Sequence, residues 1–284
     1  MSITETHIET YERDGTVLIP HVFADWTKPL EHAALTVIKG QRSGAIKEED
    51  SVSGHQSALR VVENFGGGAV ALNIVPHHAN FERWLIESPA AKMVSQIMRS
   101  KQVRFWIDAT FIKEEGAASE GTPWHNDTCT WPFWGNQMAI LWIALTDVDK
   151  DNGPLTTVRG SHVGDGRYYS TFFPENESPP PGYKPWQDLL DQAERPEAEI
   201  QTWTMQRGDC LFMHPTTIHG SKPRASMRAP PRLAFSTRWL GDDVVWKPDP
   251  LTARMTAHVS NHPDMTYDTP PPDSVIPTRW PLNQ

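Results

Sequence analysis

The residues best placed to do chemistry are His125 and Asp127, in the run Pro123-Trp124-His125-Asn126-Asp127. One residue separates them, so on an extended strand both side chains leave the same face and can grip one ion. Of the three pairs of this type, His7/Glu9 lies in a polar N-terminal segment and His262/Asp264 in a proline-rich tail. Twelve histidines alone would generate about one such pair by chance. Only His125/Asp127 sits beside apolar, strand-like runs that can hold it rigidly. Taken alone, the pair reads equally well as a surface His-Asp hydrogen bond.

A metal needs a third ligand, and the later candidates are His214 and His219, both near the end of a strand that begins at Cys210. His219 is followed by Gly220-Ser221, where the small residue lets the backbone come close to a bound ligand. Spacing leaves both histidines open. Two histidines and one carboxylate form the facial set of non-haem Fe(II) oxygenases, which leaves three positions for substrate chemistry. Such an iron needs electrons from a co-substrate, commonly a keto acid that chelates the metal, and the acid's far carboxylate needs a fixed cation. Arg224, Arg228, Arg232 and Arg238 follow His219, and Arg232 opens the strand-like run Arg232-Leu233-Ala234-Phe235-Ser236. A guanidinium binds a carboxylate with two parallel N–H groups, which lysine cannot do.

These residues need a scaffold. Residues 5–13 have helical character, Asp14-Gly15 turns into the strand Thr16-Val17-Leu18-Ile19, and His21-Val22-Phe23 continues past Pro20. A helix over 25–39 follows, with Asp25 as its cap. Phe81, Trp84 and Leu85 mark another, and Ser88-Pro89 starts a third. Residues 40–79 form a long irregular segment, a candidate lid. Strands are expected at 103–113, with Val103, Phe105, Ile107, Ala109 and Phe111 on one face, and at 138–146, 155–158, 200–205, 210–213 and 233–240. Gly208-Asp209 reads as a hairpin-like turn. A short helical stretch is expected over 186–192, and 241–284 as irregular chain wrapping the surface. Helices followed by many short strands predict a mainly β fold, a sandwich or jelly roll carrying N-terminal helices.

The net charge of -9, without a basic cluster, argues against nucleic acid or anionic membrane as partner. Two cysteines, Cys129 and Cys210, are too few for a disulfide framework and suit a reducing compartment. With no signal-peptide pattern and no apolar run long enough to span a bilayer, a soluble cytoplasmic protein is expected. Twelve tryptophans suggest that some line a cavity.

Trp124-His125-Asn126-Asp127, Asp151-Asn152-Gly153-Pro154-Leu155 with Gly160-Ser161-His162, His219-Gly220-Ser221 and Arg232-Leu233-Ala234-Phe235-Ser236 together resemble the phytanoyl-CoA dioxygenase family over about residues 10–240. The resemblance implies a double-stranded β-helix, cupin-like, in one domain: a core at about 100–240, helical support and the candidate lid at 1–99, and the C-terminal wrap. It implies Fe(II) held by His125, Asp127 and His219, 2-oxoglutarate as co-substrate and O2 as oxidant. Arg232 matches the arginine that holds the 5-carboxylate, with Arg228 a lesser candidate because Ala229-Pro230-Pro231 widens the spacing. Ser221 matches a residue supporting that carboxylate. Trp142 matches a tryptophan beside 2-oxoglutarate, and Trp131 an aromatic on the substrate side, in the ectoine hydroxylase branch. Asp127 stands where related halogenases carry a small residue, so halogenation is not expected. The implied reaction oxidises a C–H bond of a small organic metabolite, by hydroxylation first and desaturation, epimerisation or ring closure as alternatives. Trp124, Trp131, Phe133 and Trp134 form the expected apolar mouth, with Arg60, His55 or Arg238 for a polar group. No basic cluster for the phosphates of an acyl-CoA stands out. A zinc hydrolase or a cupin-like binding protein are the rival classes; the first leaves the arginine clamp unexplained, and the second usually loses a metal ligand.

Overall fold

The structure, a computed structural model, describes residues 3–47, 59–63, 68–114, 121–164, 167–169, 179, 181–226 and 228–281. Helix α1 (Glu5–Asp14) starts on a reciprocal cap between Thr4 and His7 and ends at Gly15 in the left-handed conformation. Strand β1 (Thr16–Ile19) follows, but the expected continuation at His21–Phe23 is a turn. His21 there takes φ 57° and donates its backbone N–H to Asp209. Helix α2 (Ala24–Arg42) has Asp25 inside its first turn, and the cap position is Phe23 with no side-chain bond. Strands β2 (Arg60–Glu63) and β3 (Ala69–Leu72) pair antiparallel, so part of the segment expected to be irregular belongs to a sheet. Residues 48–58, with His55, and 64–67 of the candidate lid lie outside the described residues.

Helices α3 (Ala79–Glu87) and α4 (Ala90–Ile97) bury Phe81, Trp84, Leu85, Met93, Val94 and Ile97. Beyond them run β4 (Val103–Lys113), β5 (Thr122–His125), β6 (Phe133–Trp134), β7 (Met138–Ala144), β8 (Leu155–Val158), β9 (Arg167–Tyr168) and β10 (Tyr183–Lys184). Helix α5 (Trp186–Glu194) leads to β11 (Ile200–Trp203), β12 (Cys210–Met213), β13 (His219–Ser221) and β14 (Arg232–Leu240). The C-terminal segment is more regular than expected, with β15 (Val245–Trp246), α6 (Pro250–Met255), α7 (Ala257–Ser260) and β16 (Thr278–Trp280). Trp246, Val259 and Ile276 from it are buried with Phe133, Met138 and Ile140, which explains why the chain there is ordered.

One antiparallel sheet has the order β1-β12-β7-β14-β4-β3-β2, with β16 also on β4; a second has β11-β8-β13-β5. The outer face of the large sheet, through Leu141, Ile143, Phe212, Phe235 and Trp239, packs on the helices. Its inner face, through Trp142, Leu211 and Ala234, meets Leu155 and Trp203 of the small sheet. This helix-sheet-sheet stack is a double-stranded β-helix whose sheets do not close into a barrel. Gly208-Asp209 is no hairpin turn, because β11 pairs with β8 and β12 with β7, so it carries the chain from one sheet to the other. Gly208 takes φ +91° there, and a Cβ would lie 2.6 Å from Ala24 Cα.

Strand β4 departs from simple alternation. Arg238 pairs with Ile107 but Trp239 with Phe105, so Trp106 is an extra residue, a β-bulge. Val103 and Phe105 therefore share the helix-facing core with Ile112 rather than with the odd-numbered residues beyond the bulge.

Candidate metal centre and anion pocket

His125 ends β5, Asn126 is extended (φ -124°, ψ 157°), and Asp127 begins a 3-10 turn, so the two side chains do leave one face. The Asp127 N–H is fixed to Pro215 O at 2.9 Å. Strand β13 lies antiparallel beside β5 with His219 directly opposite His125, and the two rings are 4.2 Å apart. Such close pairing requires Gly220, because a Cβ there would meet Thr122 O at 2.6 Å. The small residue thus admits a neighbouring strand, not the bound ligand expected from sequence.

Asp127 Oδ1 lies 3.6 Å from His125 Nε2 and 3.5 Å from His219 Nε2. Donors cis to one another at about 2.1 Å from a metal sit about 3 Å apart, so these gaps need to close by only about half an ångström. Each ring's Nδ1 meets a backbone carbonyl, Pro123 O at 2.8 Å and Thr217 O at 2.9 Å. Those contacts fix Nδ1 as the protonated nitrogen and turn the Nε2 lone pair inward. Burial, with His219 beside it, pushes His125 down to about 4, so it is neutral and free to ligate at pH 7. Burial pushes the Asp127 carboxyl up, but Arg238, His219 and His125 together bring it below its ordinary value. Two imidazoles with inward-facing Nε2 atoms and one ionised carboxylate are a donor set that fits a divalent metal.

His214 is not part of this cluster. Its ring nitrogens meet Thr216 Oγ1 and Asn136 O, and its ring sits tilted beside Tyr11 and His162 as a half-buried structural histidine.

On the facing large sheet, Arg232 pairs with Lys113 across β14 and β4. Arg232 is 4% exposed, donates to Gly153 O, and has no partner for Nε. No acidic side chain among the described residues pairs with it. Burial and nearby Arg224 lower its guanidinium to about 10, an electrostatic cost that a bound anion would relieve. Lys113 Nζ donates to Ser221 Oγ at 3.2 Å, and the Trp142 ring centre is 5.7 Å from the Arg232 guanidinium carbon. Lys113 thus links Arg232, its partner across β14 and β4, to Ser221, and Trp142 lies beside the guanidinium. Lys113 escaped sequence reasoning because a lysine ending an apolar strand ordinarily points to water; its signal is its place at the last inward position of β4.

The Asn-Gly-Pro-Leu element shapes this pocket. Asn152 bonds Asp147 O and Asp149 N, and Gly153 adopts φ +84° with its carbonyl on Arg232. Arg224 is buried against Glu114 O and Ala229 O, bracing the Ala229-Pro230-Pro231 bend, while Arg228 is exposed.

The aromatic residues are less uniform than the expected mouth. Trp131 (2% exposed) and Phe133 (0%) pack edge-on against Trp106, so Phe133 offers no surface to a ligand. Trp134 is exposed and covered by the Arg167 guanidinium at 3.6 Å, and Trp124 packs beside Val158 and Leu189. Arg60 is exposed on β2. Arg238 contacts Asp127 itself.

The sequence profile of phytanoyl-CoA dioxygenase (PhyH) matches residues 11–233. The chain belongs to this family. Rat peroxisomal phytanoyl-CoA dioxygenase is 27% identical over 115 residues, 38% of this chain and 30% of that protein. The chain thus aligns with less than a third of the rat enzyme's length. Ectoine dioxygenase from Bordetella bronchiseptica is 24% identical over 79% of this chain and 72% of its own. In fold, the chain resembles the epimerase SnoN, solved with Fe3+, alpha-ketoglutarate and nogalamycin RO: TM-score 0.67, 20% identity, 97% of this chain and 98% of that one covered. Among the described residues no helix is long and apolar enough to cross a membrane.

Proposed function

We propose that this PhyH-family protein is a non-haem Fe(II)/2-oxoglutarate-dependent dioxygenase that oxidises a C–H bond of a small organic metabolite. The observation that carries the reading is that a two-histidine, one-carboxylate cluster on the small sheet and a buried guanidinium on the large sheet, with no acidic partner among the described residues, are bridged by the Lys113–Ser221 bond between the two sheets. His125, Asp127 and His219 would hold Fe(II). Arg232, with Lys113 and Ser221, would hold the 5-carboxylate of 2-oxoglutarate, and Trp142 would flank it. Iron so held, with 2-oxoglutarate and O2, supplies an oxidant strong enough to break a C–H bond while the keto acid becomes succinate and CO2.

The protein's own residues do the positioning. The two Nδ1–carbonyl contacts keep each Nε2 aimed inward. Arg232 and Lys113 fix one end of a dicarboxylate, so its other end is delivered to the metal cluster in one orientation. Hydroxylation is the first expectation. Epimerisation without a new hydroxyl is the second reading, favoured by the SnoN-like fold over nearly the whole chain. The chain acts as one domain in the cytoplasm on a small molecule, without nucleic acid or membrane. Release of labelled CO2 from 2-oxoglutarate, dependent on Fe(II) and O2, is the expected result with purified protein. Metal binding without any keto-acid decarboxylation would favour a hydrolase or a binding protein.

A further inference from the structure

The two oxygens of Asp127 face different partners. Oδ1 is turned toward the Nε2 atoms of His125 and His219, whereas Oδ2 lies 3.3 Å from Arg238 Nη2. Arg238 reaches it from β14, where that strand faces the bulge at Trp106, and a bulge re-aims the side chains around it. Its other hydrogen bond runs from Nη1 to Ser236 O at 3.3 Å, which braces the guanidinium against its own strand. The side chain is 13% exposed, so it is held within the protein and not swinging in solvent.

A carboxylate can bind a metal through one oxygen or through both. On a six-coordinate metal with two histidines, one-oxygen binding leaves three positions. Two-oxygen binding leaves two, enough for a chelating keto acid but not for a further ligand. We propose that Arg238 is a positioning residue that reserves Oδ2, so that Asp127 meets the metal through Oδ1 alone and the third position stays open. The proposal rests on reading the triad as a metal site.

Simple charge balance for a buried carboxylate is the rival role, and two substitutions separate the roles. Arg238→Met removes the guanidinium at similar length; Arg238→Lys keeps the charge but not the braced planar donor. The readouts are the visible spectrum of the Co(II)-loaded protein, which reports coordination number, Co(II) affinity, and binding of nitric oxide to the anaerobic Fe(II)/2-oxoglutarate complex. Arg238→Met should bind Co(II) about 10- to 100-fold more weakly, the range for loss of an outer-shell partner. Its spectrum should change, and nitric oxide binding should weaken by at least about tenfold. Arg238→Lys should show the same changes to a smaller degree, and it decides the matter if the methionine variant fails to fold. A lysine variant indistinguishable from the parent in spectrum and nitric oxide affinity assigns Arg238 to charge balance and overturns the proposal, as does a parent-like methionine variant. A parent protein that binds no Co(II) overturns the metal reading itself, a distinct outcome.

Discussion

Arg232→Met should make the ligand-free protein more stable while abolishing its response to 2-oxoglutarate. Arg232 is buried and bonded to a carbonyl without an acidic partner among the described residues, and its guanidinium is lowered to about 10 by burial and by nearby Arg224. That shift corresponds to about 3 kcal/mol disfavouring the charged form in the fold. Because folding lowers the pKa of this base, the penalty applies at every pH below about 10, where the group is charged in both states. Methionine removes the charge and also the bond to Gly153 O, worth about 1 kcal/mol. The balance is a gain of about 2 kcal/mol, or roughly 4 °C in melting temperature for a chain of this size. Thermal melts of parent and variant, with and without Fe(II) and 2-oxoglutarate under anaerobic conditions, test it. The parent should rise in Tm with the co-substrate and the variant should not. A ligand-free Arg232→Met that melts several degrees below the parent would refute the idea that the guanidinium is held under electrostatic penalty for an anion.

Other outcomes follow from the same geometry. His219→Ala should eliminate metal binding measured by competition with a chelating dye, whereas His214→Ala should keep it and instead lower Tm, since the half-buried His214 ring bridges Asn136 and Thr216. Burial, with Arg232 and Arg224 nearby, lowers Lys113 to about 7 against 10.5 for a free lysine. Between those values the unfolded chain binds more protons, so ligand-free stability should rise with pH. Co-substrate affinity should fall over the same range, because the carboxylate favours the ammonium form, and Lys113→Met should flatten both profiles. Gly153→Ala puts a Cβ 3.0 Å from Lys113 Nζ at φ +84° and should cost about 1–3 kcal/mol in stability, with weaker 2-oxoglutarate binding by calorimetry.

Half of the centre was legible because it is local. One extended residue between His125 and Asp127 is enough to put them on one face, and neighbouring apolar runs announce strands. The choice between His214 and His219 is not local: it depends on the register that sets β13 against β5, which spacing does not contain. Lys113 looks like an ordinary strand end, and Arg238 like a contact for a polar group on the substrate, until β14 pairs with β4 and Arg238 falls on Asp127. The bulge at Trp106 has no glycine or proline to mark it, so the expected single face of β4 was broken without warning. Trp131 and Phe133 are buried by Trp106 and the C-terminal segment, whose proline content concealed elements that pack. Asn152-Gly153-Pro154 was visible as a turn, but that its Gly153 carbonyl accepts from Arg232 emerges only in three dimensions.

The central claim is that the triad and the Arg232 pocket act together on one metal-chelating keto acid. Its most direct test is an anaerobic titration of the metal-free protein with Fe(II) and 2-oxoglutarate, watched for the weak visible charge-transfer band of the chelate, with Asp127→Ala and Arg232→Met in parallel. The account predicts a saturable band in the parent that is lost or altered in Asp127→Ala and reached only at far higher keto-acid concentration in Arg232→Met. Metal binding with no band, or a band unaffected by both substitutions, would contradict it.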